Sequence, residues 1–166
     1  MYDYQFQDDD FAVWVLVHQT WRAMRKSEER VLAKIGLSPE QNELLWVAAN
    51  HPGPLTAAEI CRALFRESNT ISQLLNRMER GGLVTRAPKR KGRPFTEVKT
   101  TGKGQELYNQ AKETNLAHMK KIISCLSAEE IQQLKNLLKK IRENALKEIL
   151  LELHVELRAA PDWSRV

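Results

Sequence analysis

Cysteine is nearly absent from this sequence, with Cys61 and Cys125 its only two, and no CxxC spacing exists to suggest a zinc ribbon or a redox pair. A disulfide scaffold is thereby excluded. No apolar run approaches the ~20 residues needed to cross a bilayer. The first ten residues hold four aspartates and no Lys or Arg, unlike a secretory or transit peptide, so the cytoplasm is the expected compartment. The four histidines, His18, His51, His118 and His154, form no HxxxH or HExxH pair. A glycine-rich phosphate loop, a GxSxG elbow and a Cys/His catalytic signature are all missing. An enzyme, a cofactor and a bound metal are therefore not expected.

What is present is the balance of a soluble globular protein: 166 residues, 42% hydrophobic and 28% charged. Such a length buries about 70% of the extended chain's surface and needs no covalent staple. The net charge of +5 is unevenly spread. Residues 55–104 carry eleven Lys/Arg against four acids, whereas the remainder carries fifteen against seventeen. One central segment owns the positive excess, the footprint of a nucleic-acid surface or of a solvated basic face.

Helix punctuation divides the chain. Asp8–Asp10 suit the positive end of a first helix, whose apolar positions from Phe11 to Ile35 follow three-and-four spacing until Gly36. Ser38-Pro39-Glu40-Gln41 opens a second helix with a capping box, and Asn50–Pro54 breaks it. Thr56 and Glu59 predict a second capping box for a short third helix. In the fourth, from Ser68 to Arg80, Ile71, Leu74, Leu75 and Met78 make one stripe. Gly81-Gly82 ends it. Residues 83–86 and 95–100 read as strands around the basic run Lys89-Arg90-Lys91-Gly92-Arg93-Pro94. A fifth helix runs to about Ser124. Ser127 and Glu130 predict a third capping box for a long sixth helix, whose apolar residues repeat near 3.5 before Pro161 stops it.

Two short helices joined by a tight turn, with a basic hairpin behind them, describe a winged helix-turn-helix, in which the second helix enters the major groove. The face opposite the apolar stripe of that helix bears Ser68, Asn69, Thr70, Ser72, Gln73, Asn76, Arg77 and Arg80, with Glu79 the one acid. Asn and Gln can pair with adenine, Ser and Thr with several bases, Arg with guanine or phosphate. A merely solvated helix would interleave Glu with Lys. Arg86, Lys89, Arg90, Lys91 and Arg93 place five cations within eight residues, suited to phosphates or a narrow minor groove.

The ordered set Leu55-Thr56-x-x-Glu59-Ile60, Ile71-x-x-Leu74-Leu75-x-Arg77-Met78-Glu79, Gly82-Leu83-Val84-x-Arg86 and Val98-Lys99-Thr100-Thr101-x-x-Gly104 resembles the MarR family of bacterial transcriptional regulators, over roughly residues 8–157. The resemblance implies a mainly α fold with a small β-hairpin wing. It implies an N-terminal helix of a dimerisation lobe (1–37), a winged helix-turn-helix lobe (38–104), C-terminal dimerisation helices (105–158) and a tail (159–166). It further implies a homodimer, packed through residues such as Phe11, Trp14, Leu138, Ile141, Ala145, Ile149 and Leu153, and a repressor on a pseudo-palindromic operator. Many members carry an acidic residue before the tip arginine of the wing. Here Gly92 stands in that place, so Arg93 lacks carboxylate support and Lys89, Arg90 and Lys91 are expected to compensate by charge.

Relatives often bind small aromatic or anionic effectors between the two lobes. Trp14, His18, Trp21, Arg22 and Trp46 are the candidates for such a pocket, against the plainer reading of core aromatics. Cys61 and Cys125 are candidates for redox sensing or simply small hydrophobes. Two rivals stay open: a winged helix that binds an acidic protein partner, and a DNA-binding activator.

Overall fold

The computed structural model describes residues 7–87 and 96–153, with side chains as far as 149. The elements are α1 (Asp9–Leu32), α2 (Pro39–Asn50), α3 (Ala57–Leu64), α4 (Ser68–Arg80), β1 (Val84–Ala87), β2 (Glu97–Thr100), α5 (Gly102–Ile123) and α6 (Ala128–Leu153). They fall into two compact units, Met1–Ile122 and Ile123–Val166.

Local chemistry sets the boundaries. The Asp8 side chain accepts the Phe11 N–H at 2.8 Å and starts α1. A short 3₁₀ turn, Ala33–Ile35, follows α1 and ends on Gly36 at φ 73°. The Ser38–Gln41 capping box closes in both directions, with Ser38 N–H to Gln41 Oε1 at 2.9 Å and Gln41 N–H to Ser38 Oγ at 3.3 Å. The Ser127–Glu130 box does the same at 2.7 and 3.2 Å. The box expected at Thr56 is only half made. Thr56 Oγ1 accepts the Glu59 N–H at 3.2 Å, but the Glu59 carboxylate accepts from the Thr56 hydroxyl and from Arg62. A cation one turn away outcompetes the backbone N–H as its donor.

In the first unit the core is built from the α4 stripe, Ile71, Leu74, Leu75 and Met78, against Leu32, Leu44, Leu45, Val47 and Ile60. Each buried side chain of this size contributes about 1.5–3 kcal/mol relative to exposure. Strands β1 and β2 pair antiparallel with Val84 opposite Thr100 and Arg86 opposite Val98. Leu55 extends this small sheet, its carbonyl accepting the Val98 N–H at 2.8 Å, beside a bridge from Thr56 to Glu97. The strands begin one or two residues later than the sequence pattern suggests, at Val84 and Glu97; Leu83 is buried in the core while its carbonyl still accepts the Thr101 N–H at 3.0 Å. Tyr108 and Ala111 bring α5 onto the same core.

Upstream of Leu32, α1 buries no side chain: Phe11, Val13, Trp14, Leu16, Val17 and Trp21 all remain exposed in the single chain. Within the second unit, α6 likewise leaves Ile131, Leu134, Leu137, Leu138, Ile141, Ala145 and Ile149 exposed. The Leu153 side chain lies outside the described residues. Among the described residues no helix is long and apolar enough to cross a membrane.

Candidate nucleic-acid interface and effector cavity

The geometry of α4 follows from its two-faced sequence. Burying the stripe turns the opposite face outward, and Ser68, Asn69, Thr70, Ser72, Gln73, Asn76 and Arg77 are all exposed. Most of these side chains are short, so little conformational freedom is lost when they are ordered against a partner. Helix α3 braces α4 from behind through Ile60, which is fully buried. The turn between them contains Phe65, held left-handed at φ 50° and ψ 46° with its ring exposed.

Behind α4 stands a polar cluster that sequence reasoning did not assemble. The Arg86 backbone N–H donates to Glu79 Oε1 at 3.2 Å and its Nε to Glu79 Oε2 at 2.9 Å. Its Nη2 donates to Glu79 Oε2 and, at 2.7 Å, to Asn76 Oδ1. Hydrogen bonding from Arg86 holds the Glu79 carboxyl below the usual carboxylate range. Arg86, first grouped with the wing cations, is thus engaged by α4. Helical spacing could have signalled it, since 76 and 79 share one face of α4. The strand partner could not have been read from spacing. The wing-tip residues Lys89, Arg90, Lys91 and Arg93 lie outside the described residues.

A cavity of about 440 Å³ opens in the first unit, lined by Trp21, Asn42, Glu43, Trp46, Ala63, Leu64, Arg66 and Asn115. Of the expected effector residues it brings together Trp21 and Trp46. Trp14, His18 and Arg22 stand elsewhere on α1; Trp14 and His18 form a tilted surface pair with ring centroids 4.6 Å apart. The cation at the cavity is instead Arg66, from the α3–α4 turn. One wall is rigid. Arg25 of α1 donates to Glu43 at 2.6 Å and to Glu40 at 2.5 Å, joining α1 to α2. Burial would push the Glu40 carboxyl up, but hydrogen bonds from its own backbone N–H, Ser38 and Arg25 prevail and hold it down. Asn115 donates to Glu28 at 3.0 Å, while its own buried Oδ1 accepts no hydrogen bond among the described residues. An acceptor so placed is costly unless water or a ligand supplies a proton.

Cys61 is partly buried against the core and Cys125 is exposed.

A model described as the MarR family matches residues 35–93. The HTH-type transcriptional repressor IacR of Pseudomonas putida is 26% identical over 140 residues, 84% of this chain and 83% of that protein. Among solved structures, the organohalide-sensing RdhR-CbdbA1625 regulator in its 2,4-dichlorophenol-bound form has a TM-score of 0.77 at 21% identity, covering 88% of this chain and 89% of that one. The S. aureus MepR–DNA complex has a TM-score of 0.73 at 24% identity, covering 83% and 99%. These two likenesses establish the shared fold. The family model spans the helix-turn-helix, and over most of its length the chain is similar to regulators of this kind in sequence and in the order of its elements.

Proposed function

We propose that this protein is a sequence-specific DNA-binding transcriptional regulator, acting as a homodimeric repressor on a pseudo-palindromic operator. The observation that carries the reading is α4: four apolar side chains pinned in the core force seven uncharged or cationic hydrogen-bonding groups outward on one accessible helix. That arrangement suits the major groove, where Asn, Gln, Ser, Thr and Arg read base edges. The basic run 89–93 would follow the adjacent phosphates or minor groove. The names of IacR as a repressor and of the MepR structure as a DNA complex support it.

The exposed apolar faces of α1 and α6 support pairing of two copies, because a stable monomer rarely leaves so many large hydrophobic groups in water. Two-fold symmetry sets the half-sites about 34–36 Å apart, or a multiple of that. Selection from a random duplex pool tests the reading directly. An inverted-repeat motif is expected; recovery of no motif at low salt would overturn it.

The cavity supports an effector role. Trp21 and Trp46 can stack a ring, Arg66 can meet an anionic group, and Asn115 Oδ1 awaits a donor. The fold relative solved with 2,4-dichlorophenol suggests the class, a phenol or other small organic anion. Occupancy would act on DNA affinity through the α3–α4 turn, which contributes Arg66.

A further inference from the structure

We propose that Arg86 is the positioning residue of the recognition helix: by holding the Asn76 side-chain oxygen from strand β1, it fixes the amide so that Asn76 meets the duplex through its nitrogen as a hydrogen-bond donor, and so sets which base edges the third turn of α4 accepts. The proposal rests on the DNA-binding reading of α4.

The guanidinium is a rigid planar fork whose donors cannot be re-aimed one at a time. Here its Nε and Nη2 both engage Glu79, and Nη2 also reaches Asn76 Oδ1 at 2.7 Å. A further bond, from the Arg86 backbone N–H to Glu79 Oε1, ties the strand itself to α4. The contact with Asn76 is therefore fixed by main chain on one side and helix on the other. Arg86 holds the Glu79 carboxyl below the usual carboxylate range, so the carboxylate stays ionised as its acceptor throughout the neutral range.

The consequence falls on Asn76. An asparagine reads adenine with both ends of its amide, accepting from N6 and donating to N7. Arg86 engages one lone pair of the oxygen and fixes the rotation of the amide, so oxygen and nitrogen cannot turn together onto one adenine. The amide nitrogen has no protein partner among the described residues, and the residue is exposed. Two N–H donors on a fixed amide suit any acceptor edge in the major groove, such as purine N7, guanine O6 or thymine O4, and confer no preference for adenine over guanine. Residues 76 and 86 thus form one reading element supplied by two different secondary structures.

The test is duplex selection followed by affinity measurement with wild type, Arg86→Lys, Asn76→Ala and the double variant. Lysine keeps the charge and can pair with Glu79, but one ammonium cannot reproduce the fork to both residues. Arg86→Lys is expected to gain roughly ten-fold preference for adenine at one symmetric position of each half-site. The salt dependence should stay unchanged, and adding Asn76→Ala should abolish the gain. An unaltered motif in Arg86→Lys would overturn the proposal. So would a uniform loss of affinity with a shallower salt slope, which marks Arg86 as a phosphate contact. If Arg86→Lys fails to fold, replacing both charges together (Glu79→Leu with Arg86→Met) frees Asn76 by another route, with the same outcomes deciding. A wild-type protein that enriches no motif would refute DNA reading itself, before any variant is compared.

Discussion

The carbonyl oxygen of Leu83 lies 2.1 Å from the position a Cβ on Gly104 would occupy. The first turn of α5 is therefore seated directly on the backbone entering the wing. Thr101 secures the same junction, its Oγ1 donating to the Gly82 carbonyl at 2.6 Å and accepting the Gly104 N–H at 3.0 Å. The spacing Thr101-x-x-Gly104 is thus a clasp between α5 and the chain that follows α4. Gly104→Ala should cost about 1–3 kcal/mol, because the obstructing atom is backbone and cannot swing aside. Denaturant unfolding measures it, and an unchanged midpoint would show that the junction yields.

Phe65 offers the opposite change. Its left-handed backbone costs a residue with a Cβ roughly 1–2 kcal/mol, and its ring, 68% exposed, returns little by burial. Phe65→Gly should stabilise the fold by about 1 kcal/mol once the extra flexibility of unfolded glycine is deducted. A lower melting temperature would show that the ring contributes more than its exposure indicates.

Acid should weaken the fold through Glu40, Glu59 and Glu79, all held below their ordinary value of 4.5. Such groups contribute stability that is fully present above their unfolded value and is lost as pH falls through the lower folded value. Stability should accordingly change little on this account from pH 7 to about 5, then decline. Arg25→Met leaves Glu28, Glu40 and Glu43 without their shared cation. It should cost about 1–2 kcal/mol at neutral pH, these carboxylates being partly solvated. It should also shrink the acid loss. Unfolding curves at stepped pH check both, and an identical acid limb in the variant would exclude Glu40 as a contributor.

DNA affinity should fall about 10³–10⁵-fold between ~50 and ~200 mM salt if a dimer neutralises on the order of 6–10 phosphates. Arg93→Ala should weaken binding on most sequences, whereas Asn69→Ala or Gln73→Ala should relax preference at particular base pairs. Titrations on operator and random duplex separate these, and equal losses from all three would remove the division between wing and helix.

The cavity predicts a ligand response that is independent of DNA contact. With 2,4-dichlorophenol or salicylate as probe, quenching of tryptophan fluorescence should be seen and should weaken by about ten-fold or more in Trp46→Ala. Arg22→Ala and His18→Ala, which stand outside the lining, should leave it unchanged. Equal losses at Arg22 and Trp46 would relocate the site.

Much of the scaffold was legible because its signals are local. Ser38-Pro39-Glu40-Gln41 and Ser127–Glu130 announce helix starts through atoms three residues apart, and both boxes form. The Ile71–Met78 stripe told which face of α4 is buried, and hence which is free. The Thr56–Glu59 box was only half legible, because Arg62 competes for the carboxylate from one turn away. Arg86 shows the boundary of such reading. Its charge was visible, but its partners stand seven and ten residues back, on an element whose relation to β1 depends on packing.

Periodicity and capping chemistry act within a few residues along the chain, so the sequence alone determined the helices, the two short strands and the outward polar face of α4. Contacts between elements depend on where packed surfaces bring distant side chains together. Tertiary structure alone therefore decided that Arg86 serves α4, that Arg66 rather than Arg22 or His18 faces the cavity, and that Gly104 must be a glycine.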